Sequence, residues 1–137
     1  MQASVLGEGI MAKGDNIQHR LVQFGAGAMA ACENFPRTIS GRYAADQLLR
    51  AATAAAPNYA EARAAESRKD FVHKLRIALK EFNEAGVRLQ IILQQGLCPS
   101  DKALILRQEC TELSRILMRS VQTAEGRNPA ERRGDRN

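Results

Sequence analysis

The chain has 137 residues and a net charge of +5, and 45% of its residues are apolar although only 4% are aromatic. A chain of this length forms one domain that needs neither disulfides nor a structural metal. Alanine and leucine dominate the apolar share, which is typical of an all-α protein. There is no apolar run of the ~20 residues that a membrane helix requires and no signal peptide, so we expect a cytoplasmic protein.

The cysteines and histidines do not have the spacing of a metal site. Cys32, Cys98 and Cys110 are far apart, and the only histidines are His19 and His73. We therefore expect reduced, buried thiols and no metal or cofactor. The composition also divides the chain: 1–13 is predicted to be a disordered extension, 14–126 the folded domain, and 127–137 a disordered basic tail with four arginines against two acidic residues.

The first predicted helix begins near Asp15, which has capping-box spacing to Gln18, and ends at about Glu33. Gly25 and Gly27 each weaken an isolated helix by about 1 kcal/mol, so tertiary packing must hold this one. Pro36 lies in the following break. Thr38 or Ser40 can then cap the second helix.

Alanine makes up eleven of the 22 residues from Ala44 to Ala65 in the second helix. Pro57 interrupts it by removing a backbone donor and colliding with the Thr53 carbonyl. Two interpretations remain open: the helix continues with a kink, or it ends and restarts with Asn58 as the cap and Glu61 three residues on.

The third helix has the clearest pattern. Ser67 and Asp70 form a capping-box start, and apolar residues then recur at alternating spacings of four and three: Phe71, Leu75, Ala78, Phe82, Ala85, Leu89 and Ile92. Val72, Leu79 and Leu93 widen this apolar arc, which suggests burial against a second surface such as another subunit.

Gly96 and Pro99 mark the break before the fourth helix, which starts at Ser100. Its apolar stripe consists of Leu106, Cys110, Leu113, Leu117, Val121 and Ala124. Four long helices joined by short turns predict an all-α, up-down-up-down antiparallel four-helix bundle.

One block of the sequence, Gln47 to Ala85, resembles a known family. It contains Arg-x-x-Thr (50–53), Asn-Tyr-x-Glu-Ala (58–62), Ser-x-x-Asp-Phe (67–71) and Lys-Leu-x-Ile-Ala-Leu-Lys-Glu (74–81). The block is similar to the four-helix-bundle proteins encoded by intervening sequences of bacterial 23S ribosomal RNA genes. Pro57 and the glycines of the first helix depart from the family pattern.

The resemblance implies a left-handed bundle that assembles into a homo-oligomeric ring, commonly a pentamer. A related branch resembles the accessory variability protein of diversity-generating retroelements, a basic pentamer that binds nucleic acid and a reverse transcriptase. Most members have no assigned activity, so the resemblance carries over no catalytic residues.

A polar stripe on the third helix is the best candidate site. Its residues recur at intervals of four, three and four: Lys69, His73, Arg76 and Lys80. Such a stripe fits the phosphate backbone of DNA or RNA, with Arg132 and Arg133 of the tail adding to it, although a solvated helix face looks the same. Because exposed aromatic residues are few, binding would be electrostatic and sensitive to salt.

The family-like motif residues are interpreted as structural: Arg50, Asn58, Tyr59, Glu61, Ser67 and Asp70. We expect Glu61 to pair with Arg50 or Arg63, Tyr59 to bury its ring, and Asn58 to satisfy carbonyls freed by Pro57. No nucleophile or base stands beside them, which argues against an enzyme. The sequence therefore predicts a non-enzymatic, self-associating bundle that presents a basic surface; the alternative is an interaction scaffold without a nucleic-acid role.

Overall fold

The computed structural model describes residues 8–126 as four α-helices joined by short turns. They are α1 (Glu8–Cys32), α2 (Ile39–Arg63), α3 (Arg68–Gln95) and α4 (Ser100–Ala124). Each helix packs against two others, in the pairs α1–α2, α2–α3, α3–α4 and α1–α4, of which the last is the sparsest. No helix among the described residues has the length and apolar character needed to cross a membrane.

Contacts between the helices establish that neighbours run antiparallel. Between α1 and α2, Arg63 reaches Asp15 while Gly25 lies against Ala52. Between α3 and α4, Arg76 binds Glu125, while the Cys110 thiol meets the Phe82 carbonyl farther along α3. In both pairs the residues near the start of one helix meet those near the end of the other, which confirms the predicted up-down-up-down bundle.

The core runs along the bundle axis and receives side chains from all four helices. Phe24 of α1 and Phe82 of α3 meet across its middle with their ring centroids 4.6 Å apart at 60°. Such edge-to-face packing of two aromatic rings adds about 1 kcal/mol to the stabilisation from burial alone. The predicted α3 heptad is buried except for Phe71, which is half-buried.

The start of α1 differs from the prediction. The helix begins at Glu8 rather than near Asp15, so residues 8–13 are helical instead of forming part of a disordered extension. Met11, Ala12 and Lys13 have high helix propensity, and adding residues to an existing helix costs much less than nucleating one. The rest of the predicted extension, 1–7, and the predicted tail, 127–137, lie outside the described residues.

The open question at Pro57 is resolved in favour of continuation, because α2 is one helix from Ile39 to Arg63 with the proline inside it. The Asn58 side chain donates a 2.9 Å hydrogen bond to the Ala54 carbonyl. The carbonyl that Pro57 leaves without its helical donor is that of Thr53. The Asn58 side chain therefore bonds the neighbouring carbonyl and not the freed one that the sequence predicted.

Small residues let α1 and α2 approach closely. A Cβ added at Gly25 would lie 3.3 Å from the Ala52 carbonyl oxygen, so α1 touches the backbone of α2 there. In the turn between the helices, Thr38 caps α2 by accepting a 3.0 Å bond from the Gly41 amide. A Cβ at Gly41 would lie 1.9 Å from the Pro36 carbonyl oxygen, so this position requires glycine.

The wide apolar arc of α3 has a different explanation from the one expected. Leu79 is buried within the bundle, and Val72 and Leu93 are half-buried. Because α3 packs against both α2 and α4, a broad arc is used inside a single chain. The arc therefore does not require a second subunit. At its C-terminal end α3 stops at Gly96, which has a φ of 61°, as predicted.

Candidate functional site

The predicted polar stripe lies on the outward face of α3, opposite the buried heptad. All four of its residues are exposed: Lys69, His73, Arg76 and Lys80. The heptad fixes this orientation, because the stripe residues lie on the side of the helix opposite the heptad and so must face away from the core. The stripe is thus a continuous solvent-facing surface about three turns long.

Arg76 differs from the rest of the stripe because it is already paired. Its guanidinium donates two hydrogen bonds to the Glu125 carboxylate at the end of α4, and one of them measures 3.1 Å. The charge of Arg76, which the sequence pattern places in the stripe, is therefore already balanced within the chain. Within the described part of the chain, Lys69, His73 and Lys80 form no ion pair with a carboxylate.

Asp70 and Glu81 of α3 lie to one side of the stripe, whereas Glu84 follows Lys80 by four residues and lies beside the end of the stripe. Asp70 lies four residues before Lys74, and Glu81 lies seven residues after it. Lys74 itself binds Glu61 of α2 at 3.2 Å. Residues with this spacing share a face, which here is turned toward α2. Glu84 is 3.6 Å from Arg88 of the same helix. Asp70 and Glu81 therefore reduce the positive potential of the stripe less than their number suggests, while Glu84 reduces it near Lys80.

Sequence reasoning missed a second group of cations, on α4. Arg107, Arg115 and Arg119 are exposed and have no salt bridge to any described carboxylate. Arg115 and Arg119 are one turn apart and so share a face. Both this spacing and the core stripe of α4 were visible in the sequence, so the exposed cationic face of α4 could have been identified from it. Arg132 and Arg133 lie outside the described residues.

Charged residues in and next to the α2 motif form ion pairs, but with partners other than those predicted. Glu61 pairs with Lys74 of α3, whereas Arg63 pairs with Asp15 of α1 at 2.7 Å. Arg50 lies 3.9 Å from Asp46 on its own helix. Glu61 of the motif and Arg63 just after it thus link α2 to both neighbouring helices, and a sequence cannot specify these partners before the helix order and rotation are known.

Tyr59 is 5% exposed, as predicted from its motif position. Burial raises the pKa of its phenol. No buried side-chain nitrogen or oxygen in the described residues lacks a hydrogen-bond partner.

At the start of α3, the Ser67 hydroxyl accepts a 3.0 Å bond from the Asp70 amide, which confirms the predicted cap. Asp70 also places negative charge at the positive end of the helix dipole.

The cysteines are free thiols. Cys110 is buried, and its burial raises the thiol pKa to about 11; burial likewise raises the pKa of Cys32 to about 11. A thiol with such a pKa is neutral at pH 7 and therefore a poor nucleophile. Among residues 8–126 there is no cluster of three metal-ligating side chains.

The outward face of α3 changes character toward the C-terminal end of the helix. Val87 and Ile91 continue the spacing of the stripe and are 55% and 49% exposed. On the adjoining end of α2, Tyr43 is 58% exposed, and its ring lies under the Arg88 guanidinium, whose carbon is 5.7 Å from the ring centroid. A basic half and an apolar half therefore follow one another along the same face.

Comparisons with known proteins agree with this architecture. A solved structure of a protein of unknown function from the S23 ribosomal protein family of Bacteroides thetaiotaomicron superposes with a TM-score of 0.74. It is 24% identical and covers 80% of this chain and 98% of its own, so it supports the fold alone. No curated protein matches the chain. The model of the 23S rRNA-intervening sequence protein family matches residues 17–119, and the chain belongs to this family.

Proposed function

We propose that the protein is a non-enzymatic, self-associating bundle whose α3 face binds nucleic acid without sequence preference. One observation carries this proposal: Lys69, His73 and Lys80 line an exposed face and have no carboxylate partner in the described part of the chain. Phosphate groups supply the negative charge that this face lacks, and their binding releases counterions.

The chemistry of the face favours backbone contacts over base recognition. Lysine and histidine donors suit phosphate oxygens, and the four stripe residues include no aromatic ring other than the imidazole of His73. Without phenyl or indole rings to stack on bases, affinity must come from charge. The proposal extends to a nucleic-acid enzyme, such as a reverse transcriptase, that would use this surface together with its template.

The test compares two charge-reversal variants by size-exclusion chromatography with light scattering, with mixed-sequence DNA and RNA. Lys69→Glu with Lys80→Glu changes the face, while Arg37→Glu with Arg42→Glu makes the same charge change on exposed residues in the α1–α2 turn and the first turn of α2. We expect only the first pair to weaken binding, and the dependence of log affinity on log salt to become shallower by about two for duplex DNA. Equal losses in both variants would contradict a localised site.

The scaffold alternative is favoured by a different observation, the exposed apolar half of the same face. Val87 and Ile91 provide apolar surface that a second copy of the chain can cover, and we propose that a pentameric ring forms in this way. Val87→Glu with Ile91→Glu should then reduce the mass of the particle in light scattering. If the particle keeps its mass in this variant, the self-association uses another surface. If the unmodified particle does not bind nucleic acid, the scaffold alternative is favoured.

A further inference from the structure

A groove of about 490 Å³ lies between α1 and α4, at the end of the bundle where α2 passes into α3. It follows the sparsest of the four helix pairs. Its volume is within the range of about 300–1,000 Å³ that is typical of small-molecule sites. Neither the polar stripe of α3 nor the exposed apolar half of that helix contributes to its lining.

The floor of the groove is apolar and comes from all four helices. Its side chains are Ile17, Tyr59, Phe71 and Ile116. Ile17 and Tyr59 are almost fully buried, whereas Phe71 and Ile116 remain half-buried. Phe71 occupies a core position of the α3 heptad, so its remaining exposure comes from the groove above it. Covering this floor would remove further apolar surface from water, at about 25 cal/mol per Å².

The rim of the groove is cationic. Lys13 of α1 and Arg119 of α4 line it, both are exposed, and neither pairs with a carboxylate among the described residues. A third lining cation, Arg20, is already neutralised, since it binds Glu109 at 2.7 Å and Glu112 at 3.4 Å. The groove thus combines an apolar floor with two positive charges that no described carboxylate balances.

We propose that this groove binds a small amphipathic anion, a molecule with an apolar body and a single carboxylate or sulfonate group. The body would cover Phe71 and Ile116, and the anionic group would lie between Lys13 and Arg119. A neutral apolar molecule would leave both cations unpaired, and a polyanion such as nucleic acid would leave the apolar floor exposed. Charge and shape together therefore select this class of ligand.

The test uses the full chain with two fluorescent probes of similar shape, anilinonaphthalene sulfonate and its uncharged analogue phenylnaphthylamine. We expect the sulfonate to bind with saturable, single-site fluorescence enhancement and to be displaced by decanoate. Failure of the sulfonate to bind, or its release when the chain self-associates, would overturn the proposal, because the groove would then be closed or filled by the chain itself.

Variants locate the site. Lys13→Gln with Arg119→Gln should weaken sulfonate binding about tenfold, because it removes both cations that the anionic group contacts, and should leave the binding of the neutral probe unaffected. Arg107→Gln with Arg115→Gln is the matched control, because both are exposed arginines of α4 that do not line the groove. An equal loss in this control, or no loss in the Lys13 and Arg119 variant, refutes the assignment.

Discussion

The two helix pairs that α1 forms differ in how closely they are packed. Toward α2 it presents glycine against backbone, with Gly25 beside the Ala52 carbonyl, and no large side chain stands between the helices there. Toward α4 it presents Arg20, which is bridged by Glu109, and Gly27, which faces only the tip of Leu106. Small residues thus close the α1–α2 pair, whereas long side chains hold the α1–α4 pair apart and leave a groove.

The largest expected effect lies in the turn that starts the close packing of α1 and α2. Gly41→Ala would place its Cβ 1.9 Å from the Pro36 carbonyl oxygen, so the turn must rebuild. We expect a loss of about 3 kcal/mol in the free energy of unfolding, measured by urea denaturation. Ser40→Ala, at the neighbouring exposed residue, should cost less than about 0.5 kcal/mol. A loss below about 1 kcal/mol for Gly41→Ala would show that the turn is loose.

A second comparison uses the two glycines of α1. Alanine at either position gains about 1 kcal/mol of helix propensity. At Gly25 the new methyl group meets backbone at 3.3 Å, which cannot move freely, while at Gly27 it meets a flexible Leu106 methyl at 3.2 Å. We therefore expect Gly27→Ala to be more stable than Gly25→Ala by about 1 kcal/mol. Equal midpoints of thermal unfolding for the two variants would mean that the α1–α2 and α1–α4 pairs accommodate an added methyl group equally well.

The bridge across the α1–α4 pair should be worth less. The Arg20 guanidinium and the Glu109 carboxylate are partly buried, and their hydrogen bond raises the arginine pKa. A double-mutant cycle with Arg20→Gln and Glu109→Gln should give a coupling free energy of about 1 kcal/mol that shrinks as salt is added. Zero coupling at low salt would show that the bridge does not stabilise the α1–α4 pair.

The effect that is smallest at neutral pH concerns Cys32, whose thiol faces the Ala45 carbonyl across the α1–α2 pair. Its pKa rises from 9.0 to about 11, mainly through burial. The thiol is therefore protonated in the folded chain where the unfolded chain has lost its proton, so its contribution to stability declines as the pH rises from 9 toward 11. Cys32→Ser should flatten that decline, and an unchanged pH profile would contradict the shift.

Local features of the sequence predicted the fold well. The Thr38 and Ser67 caps, the Gly96 terminus and the α3 heptad depend on residues within one or two turns of each other. Interhelical partners were not predictable in this way: Glu61 binds Lys74 and Arg76 binds Glu125 because of the rotation and order of the helices. The groove between α1 and α4 was missed for the same reason, since it depends on how far apart two distant segments pack.

The most direct test of the account is lysine acetylation footprinting of the full chain with and without nucleic acid at low salt. Lys69 and Lys80 should be protected, because they lie on the outward side of α3. Lys13 and Lys102 lie on other helices and should react as they do without nucleic acid. Protection that is uniform over the four lysines, or strongest at Lys13 or Lys102, would contradict a binding face on α3.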